Sequence, residues 1–291
     1  MNGRSTGTEF LPLYGAHRRA SSLCRSVSAL SGTDDDRESA MRRKLVAGNW
    51  KMNGSRAALA ELDAIAAAAA AAPDVDVEIA VPFTLIAAAA DRAPALAIGA
   101  EDVHEADSGA HTGCVSAGMV KEAGARFTIV GHSERRADQH ETSHDAWAKA
   151  AAARRQGLRV ILCCGETEAE RDADRAERVV QAQIEKSVPD NADGSWFTLA
   201  YEPRWAIGTG RTPTLDEIAA IHAIARAKLR MLIGDAAAGV RILYGGSVTG
   251  SNAAAILTTA NVDGALVGGA SLTADKFVPI IEAAASIDSV G

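Results

Sequence analysis

Short apolar runs alternate with longer, more polar stretches from residue 45 to the end of the chain. Each run has the length of a buried strand, and each is followed by a loop and a stretch rich in the helix formers Ala, Glu, Arg and Lys. The predicted strands lie near residues 45–49, 76–81, 96–99, 127–131, 158–163, 196–201, 240–244 and 263–267. Examples of the predicted helices are residues 55–71, 138–156, 167–187 and 214–233, with Ser55 and Thr214 as N-caps of the first and last.

Eight strand–helix units in about 250 residues favour an α/β fold in which the strands close into one (β/α)8 barrel. An open, doubly wound sheet usually has fewer strands. No Gly-x-Gly-x-x-Gly motif follows the first predicted strand, which argues against dinucleotide binding. We therefore expect a single barrel domain over residues 41–291.

The first 40 residues differ from the rest in composition. They are rich in Ser and Arg, show no sustained hydrophobic period, and contain Glu9 as the only acid between Arg4 and Leu30. A secretory signal is excluded because its unbroken apolar core is missing. We expect residues 1–40 to be a disordered extension; a targeting tail and an upstream translation start, with Met41 as the functional start, are the explanations left open.

Composition and charge exclude several classes of partner. The chain has 291 residues, of which 47% are hydrophobic, so it can bury a large core. The formal net charge is −7 and there is no basic run, so we expect no nucleic-acid partner and a cytoplasmic protein. The alanine-rich stretch around residues 64–72 is too short to cross a membrane and predicts a surface helix, so we expect no membrane contact.

The cysteines and histidines show no metal-binding pattern. Cys24, Cys114, Cys163 and Cys164 lack zinc-like spacing, and the seven histidines are scattered along the chain. We expect no metal site, and we interpret the cysteines as buried thiols in a reducing compartment.

One carboxylate stands out by its position. Glu202 follows the sixth apolar run and precedes Pro203 and a Gly-Thr-Gly tip at residues 208–210. A strand end aims a side chain well, and a glycine-containing lid closing over the carboxylate would raise its basicity, which suits proton abstraction next to a carbonyl. The same segment also fits an ordinary strand-to-helix turn with a solvated Glu.

Further polar side chains follow other predicted strands, at the barrel face where active sites of this fold gather. Asn49 and Lys51 come after the first strand, and a cation there would suit an anionic substrate. His132 follows the fourth strand near a predicted helix start, where the helix dipole disfavours protonation, so a neutral imidazole could donate to a developing enediolate. Taken singly, the Lys also fits a solvated charge and the His a structural role.

Glycine pairs follow the last two predicted strands. They are Gly245-Gly246, which precede Ser247, and Gly268-Gly269. Backbone amides at these two ends could surround a phosphate group, which this fold often holds there. One such pair would fit a tight turn, but two pairs at these ends favour a phosphate site.

The order of these segments closely resembles the triosephosphate isomerase family. The matching motifs cover the barrel from end to end: GNWKMNG (48–54), GAHTGCVSA (109–117), IVGHSERR (129–136), CCGET (163–167), YEPRWAIGTGRT (201–212), LYGGSV (243–248) and GALVGG (264–269). The resemblance implies a (β/α)8 TIM barrel that interconverts dihydroxyacetone phosphate and glyceraldehyde 3-phosphate without a cofactor, usually as a homodimer. Two rival interpretations are another phosphate-binding barrel enzyme and a barrel that serves as a scaffold without catalysis.

The resemblance also implies roles for individual residues. Glu202 would be the base, His132 would polarise the substrate oxygens, and Lys51 and Asn49 would complete the polar wall of the site. The positions matching the family's phosphate contacts are Gly208, Ser247, Gly268 and Gly269, whereas Ser133 and Glu134 would support the His and the Lys from behind.

Departures from the family pattern affect the lid and the dimer. Arg204 lies in the first predicted lid hinge, where the family usually has a small aliphatic residue. Arg211 lies in the second hinge, where the family commonly has Lys. Cys114 replaces a common Glu in the third loop, which removes a salt bridge to a partner Arg, expected to be Arg135. Because the loop around Thr112 is otherwise retained, we still expect a homodimer formed through it.

Overall fold

The computed structural model describes residues 42–206 and 212–288 of the protein. Its eight strands, β1 to β8, are Leu45–Asn49, Asp76–Val81, Ala97–Ala100, Phe127–Val130, Arg159–Cys164, Phe197–Tyr201, Arg241–Tyr244 and Gly264–Val267. Every boundary lies within one residue of the predicted apolar run. The predictions for the N-terminal extension and for residues 207–211 of the lid lie outside the described residues.

The strands form one closed sheet in chain order from β1 to β8, and all pairs are parallel. Leu45 of β1 pairs with Asp76 of β2 on one side and with Gly264 of β8 on the other, which closes the ring. The predicted (β/α)8 barrel is therefore confirmed. Parallel pairing brings the carboxyl ends of all the strands to the same face, where the candidate site residues follow them.

Ten α-helices lie within the described residues. In chain order, α1 to α10 are Glu61–Ala71, Ile86–Arg92, Ala117–Glu122, Ser133–Asp138, Ser143–Arg155, Glu168–Asp172, Ala176–Ser187, Leu215–Ile233, Ala253–Leu257 and Ala274–Asp288. Short 3-10 helices occupy Ala58–Ala60, Phe83–Leu85, Arg204–Ala206, Gly234–Gly239 and Gly269–Leu272. Among the helices of the described ranges, none has both the length and the apolar character needed to cross a membrane.

Left-handed residues change two of the predicted helices. The helix predicted over 138–156 is a single helix, α5, that begins only at Ser143, because His140 (φ 56°) interrupts the chain after α4 and a Thr142–Asp145 capping box starts α5. Asp174 (φ 55°) separates α6 from α7, so the helix predicted over 167–187 is divided in two. The Thr214 cap of α8 is confirmed by its capping box with Glu217.

The strands bury both of their faces, and successive residues of a strand enter different cores. Leu45 and Ala47 of β1 point into the barrel, whereas Val46 packs in the layer between the barrel and the helices. The barrel interior holds Leu45, Ala47, Ala80, Phe127, Ile129, Ile161, Cys163, Ala200, Leu243 and Leu266. This double burial explains the nearly continuous apolar runs in the sequence, and it makes the strands a rigid support for the residues at their ends.

The cysteines divide by position. Cys163 and Cys164 of β5 are buried, as predicted, but Cys114 is exposed in the loop between β3 and α3, so the prediction of a buried thiol is wrong there. The loop itself explains the difference, because residues 107–114 are all exposed and offer the thiol no core to enter. Cys24 lies outside the described residues.

Candidate active site

Glu202 is buried directly after β6, where neighbouring strand ends enclose it. Its side chain is 2% exposed, and its backbone N–H donates to the Cys164 carbonyl at 2.8 Å. A Cβ atom added to Gly165 would lie 1.8 Å from the Glu202 carbonyl oxygen, and one added to Gly245 would lie 2.8 Å from its Cγ. The solvated-Glu interpretation is therefore excluded, and glycine is required on both sides of this carboxylate.

His132 contacts the Glu202 carboxylate directly. Its Nε2 lies 2.8 Å from Glu202 Oε1, and its Nδ1 accepts a hydrogen bond from the Glu134 backbone N–H at 3.2 Å. His132 is the N-cap of α4, as the sequence predicted for a residue near a helix start. Because Nδ1 is an acceptor here, the neutral imidazole carries its proton on Nε2, which donates to Glu202.

Ser133 and Glu134 divide the supporting contacts in a way that the sequence did not show. The Ser133 backbone N–H donates to Glu202 Oε2 at 3.0 Å, and its Oγ lies 3.4 Å from Oε1. Glu134 contacts both His132, through its backbone, and Lys51, through its carboxylate. Ser133 thus binds the carboxylate, whereas the expected support of His and Lys comes from Glu134.

The contact between buried Glu202 and His132 shifts the pKa of both side chains. Burial lowers the pKa of His132, but the charge of Glu202 and the hydrogen bond to it raise that pKa, and the net direction is upward. Burial raises the pKa of Glu202, but His132 and the Ser133 N–H lower it to a net value below the ordinary one. The expected neutral His at a helix start is thus opposed by its contact with Glu202, and the carboxylate is held ionised.

Lys51 reaches the site from a strained backbone. Its φ of 57° lies in the left-handed region, which residues other than Gly rarely adopt. Its backbone N–H donates to Asn49 Oδ1 at 3.0 Å, and its Nζ lies 2.6 Å from Glu134 Oε1. A Cβ atom on Gly268 would lie 3.3 Å from Lys51 Cε, so the ammonium group is held close to the turn after β8. Strain of this kind persists where surrounding contacts impose it, commonly at functional sites.

These residues line one cavity of about 370 Å³ at the carboxyl ends of the strands. Its lining contains seven of the predicted site residues, namely Asn49, Lys51, His132, Glu202, Ser247, Gly268 and Gly269. The remaining phosphate-site candidate, Gly208, lies outside the described residues. The volume falls in the range of small-molecule sites, and both glycine turns contribute backbone to its wall.

Glu166 was not singled out from the sequence. It is fully buried after β5, and its Oε1 accepts hydrogen bonds from Tyr201 Oη at 3.0 Å and from Trp205 Nε1 at 2.8 Å. Arg171 lies over the Trp205 ring, with 5.0 Å between its guanidinium carbon and the ring centroid. The 3-10 turn Arg204–Ala206 is thereby anchored, and Arg204 is half-buried at its start. The sequence offered one indication of a role for Glu166, namely its position as the acidic residue of a Gly-Glu-Thr segment directly after the fifth predicted strand.

The fold and the cavity at the carboxyl ends of its strands place the protein among the (β/α)8-barrel enzymes. The family model described as triosephosphate isomerase matches residues 44–284. The triosephosphate isomerases of Xanthobacter flavus and Dinoroseobacter shibae are each 54% identical to this chain over 246 residues. Each match covers 84% of this chain, and the matches cover 98% of the Xanthobacter protein and 99% of the Dinoroseobacter protein. A solved triosephosphate isomerase structure from Bartonella henselae is 42% identical, with a TM-score of 0.78, over 83% of this chain and 98% of that one. The chain belongs to the triosephosphate isomerase family.

Proposed function

We propose that this protein interconverts dihydroxyacetone phosphate and D-glyceraldehyde 3-phosphate, the isomerase step shared by glycolysis and gluconeogenesis. Family membership supports the activity. The observation that carries it within this chain is the contact of a buried Glu202 with His132 in a cavity that also contains Lys51 and both glycine turns. Those groups supply a base, a hydrogen-bond donor, a cation and backbone turns that can surround a phosphate group.

Glu202 is the proton carrier in this proposal. It takes a proton from the carbon next to the substrate carbonyl and returns it to the adjacent carbon, so the reaction passes through an enediol or enediolate without net proton gain. A substrate inserted between Glu202 and His132 breaks the contacts that lower the pKa of Glu202, while burial, which raises it, remains. The carboxylate therefore becomes a stronger base when substrate binds.

His132 polarises the two substrate oxygens as a neutral donor. The Glu134 N–H that points at Nδ1 disfavours a second proton on the ring, because both would be donors. The two largest contributions that raise the pKa of His132 come from Glu202, so they are lost once substrate separates the two side chains. A Glu base paired with a neutral His is the established pattern of triosephosphate isomerases, so this assignment extends a known mechanism to the present chain.

The remaining residues bind the charged parts of the substrate. Lys51 offsets phosphate and enediolate charge, and Asn49 holds the Lys51 backbone in place through its Oδ1. The phosphate is assigned to the backbone amides and hydroxyl around Ser247, Gly268 and Gly269, with Gly208 delivered by closure of the lid. A closed lid retains the enediolate, which would otherwise lose phosphate in water, and phosphate binding energy can hold it shut.

We also propose a homodimer formed through the loop around Thr112. Residues 107–114 of this loop are all exposed. Beside the active site a second cavity of about 230 Å³ is lined in part by Met52 and Phe83, and the Met52 side chain is 96% exposed. An exposed loop and an exposed apolar cavity rim are complementary features of an interface between two copies. Light scattering coupled to size exclusion should give a dimer; an active monomer at nanomolar to micromolar concentration would contradict the proposal.

The interface has to form without a salt bridge from position 114. Cys114 is exposed, and Arg135, its expected partner across the interface, is already paired within its own chain. The Arg135 guanidinium lies 2.9 Å from Asp102 and 2.5 Å from Glu141. These internal carboxylates replace the charge that Cys114 lacks, so Arg135 does not remain uncompensated.

We place the reaction in the cytoplasm. The three described cysteines are free thiols, as is usual for proteins of a reducing compartment. Fractionation of the producing cell, with the activity followed in each fraction, tests the assignment.

A coupled assay with glyceraldehyde 3-phosphate tests the proposed function most directly. We expect an active wild type and a Glu202→Ala variant whose kcat is lower by several orders of magnitude, because the proton carrier is removed. Glu122→Ala, which removes an exposed carboxylate at the end of α3, is the matched control and should retain wild-type activity. A correctly folded wild type without activity would overturn the proposal.

A further inference from the structure

A cavity of about 340 Å³ lies at the amino ends of the strands, on the barrel face opposite the active site. We call it the basal cavity. Its charged lining residues are Arg43, Asp76, Glu78, Arg126 and Arg159, and none of them takes part in the mechanism above. Within the described part of the chain, the basal cavity shares no lining residue with the active-site cavity or with the 230 Å³ cavity beside it.

Small side chains keep the basal cavity open. Ala66, Ala69 and Ala70 of α1 line one side of it, and Ala95 and Ala97 line it at the start of β3. Their methyl groups leave space between the helix and the strand ends that larger side chains would fill. The result is a recess with an apolar wall, and the charged residues decide what the recess can bind.

Arginines reach the basal cavity from two sides. Arg43 precedes β1 and donates a hydrogen bond to the Pro73 carbonyl. Arg126 and Arg159 lie side by side at the starts of β4 and β5, where the Arg159 backbone N–H donates to the Arg126 carbonyl at 3.1 Å. Because Arg43 and Arg126 are exposed, a ligand in the cavity can contact guanidinium groups of two separate segments.

The carboxylates of the basal cavity are already paired within the chain. Glu78 is buried and forms an ion pair with Arg159. Asp76 is shared between two arginines, since its Oδ1 lies 3.4 Å from Arg43 and its Oδ2 lies 2.6 Å from Arg241. Both acids are therefore neutralised by their own neighbours.

Arg126 is the cation without such a partner. Its guanidinium group donates to the Pro94 carbonyl at 2.8 Å, and no carboxylate in the ranges 42–206 and 212–288 pairs with it. With Arg241 included, four guanidinium groups face two carboxylates. This local surplus of positive charge, in a chain whose formal net charge is −7, favours a negatively charged ligand.

We propose that the basal cavity is a second anion-binding site, distinct from the phosphate site of the active-site cavity, for a ligand that carries at least two phosphate or carboxylate groups. A planar guanidinium group binds either kind of group through two parallel hydrogen bonds, and a ligand with two such groups can reach the arginines on both sides. The proposal does not depend on the isomerase function, because none of its residues lies at the catalytic face.

Two sources can supply this chemistry. One is a free polyanion. The other is the acidic run Asp34-Asp35-Asp36 of the chain itself, which lies outside the described residues. Asp36 stands seven positions before Arg43, and a stretch of that length spans at most about 25 Å when extended, so the run is tethered within reach of the cavity.

Titration calorimetry with inorganic pyrophosphate on the full-length chain tests the site. We expect Arg126→Gln to raise the Kd of pyrophosphate about tenfold, because it removes a charged hydrogen-bond donor, and to leave kcat/KM unchanged. Arg43→Gln should weaken binding in the same way from the other side of the cavity. Arg178→Gln removes an exposed arginine of α7 that does not line the cavity, and it should bind pyrophosphate like the wild type.

The triple variant Asp34→Asn/Asp35→Asn/Asp36→Asn distinguishes the two sources. If the chain's own acidic run occupies the cavity, the triple variant should bind pyrophosphate at least about tenfold more tightly than the wild type, because a tethered competitor is removed. Equal affinity assigns the cavity to a free polyanion. Either result supports the site, provided that Arg126→Gln weakens binding in the triple variant as well. The proposal is overturned if the triple variant does not bind pyrophosphate, or if Arg126→Gln and Arg43→Gln leave its affinity unchanged.

Discussion

Gly245→Ala should displace the Glu202 carboxylate without removing any catalytic group. A Cβ atom at Gly245 would lie 2.8 Å from Glu202 Cγ and 3.1 Å from the Tyr201 carbonyl oxygen. Carbon atoms pack favourably at about 3.5–4.0 Å, so Glu202 has to move by roughly 1 Å. Displacements of about 1 Å cost up to about 100-fold in rate, and we therefore expect kcat to fall about 10- to 100-fold.

The measurement is steady-state kinetics with glyceraldehyde 3-phosphate, together with thermal unfolding. Gly250→Ala is the matched control, because its Cβ would meet Pro279 Cβ at 2.7 Å, an equally close contact away from Glu202. It should lose a similar amount of stability and keep its kcat. If Gly245→Ala turned over substrate within about twofold of the wild type, the requirement for glycine beside Glu202 would be refuted.

Three further predictions concern stability. Asp263→Ala should lower the free energy of unfolding by about 3–5 kcal/mol in urea titration, because it strips buried Arg42 and Arg226 of the carboxylate they share at 2.9 Å and 2.5 Å; a loss below about 1 kcal/mol would contradict this. Trp205→Phe removes the donor to Glu166 and should cost about 1–3 kcal/mol, measured in the same way, and an unchanged midpoint would refute the anchoring of the turn. The pKa of Glu202 in the folded protein is lowered, so the stabilisation from its ionised form is present above the unfolded pKa of 4.5 and disappears as pH falls through the folded pKa. The free energy of unfolding of the wild type should therefore exceed that of Glu202→Gln by a margin that shrinks as pH falls from 4.5 through the folded pKa. A constant margin would argue against the ion pair.

The accuracy of the strand predictions has a simple cause. A strand of a closed parallel barrel is covered on both faces, so its residues form an apolar run that ends where burial ends. The candidate site could be predicted for a related reason, since the residue after each run lies at the same face of the barrel. Helix breaks were harder to predict, because single residues such as His140 and Asp174 adopt left-handed conformations that their neighbours in sequence do not require.

The contacts inside the site show the limit of the sequence most clearly. The sequence indicated Glu202 and His132 as candidates, but not that their side chains touch at 2.8 Å or that Ser133, 69 positions before Glu202, donates to the carboxylate. The role of Glu166 in holding Trp205 also depends on a contact between residues 39 positions apart. Such contacts depend on side-chain directions that no periodicity encodes.

The sequence by itself determined the eight strand–helix units, the closed barrel they favour, and the residues that follow each strand, because these depend on the local alternation of apolar and polar positions. Only the tertiary structure decided which of those residues are charged, paired or neutral. The pKa of Glu202 is lowered by its neighbours, while that of Glu101 is raised by burial to about 8, although both are glutamates that directly follow a strand. The physical reason is that a pKa depends on the desolvation and charges that distant segments impose, and those segments meet only in the folded chain.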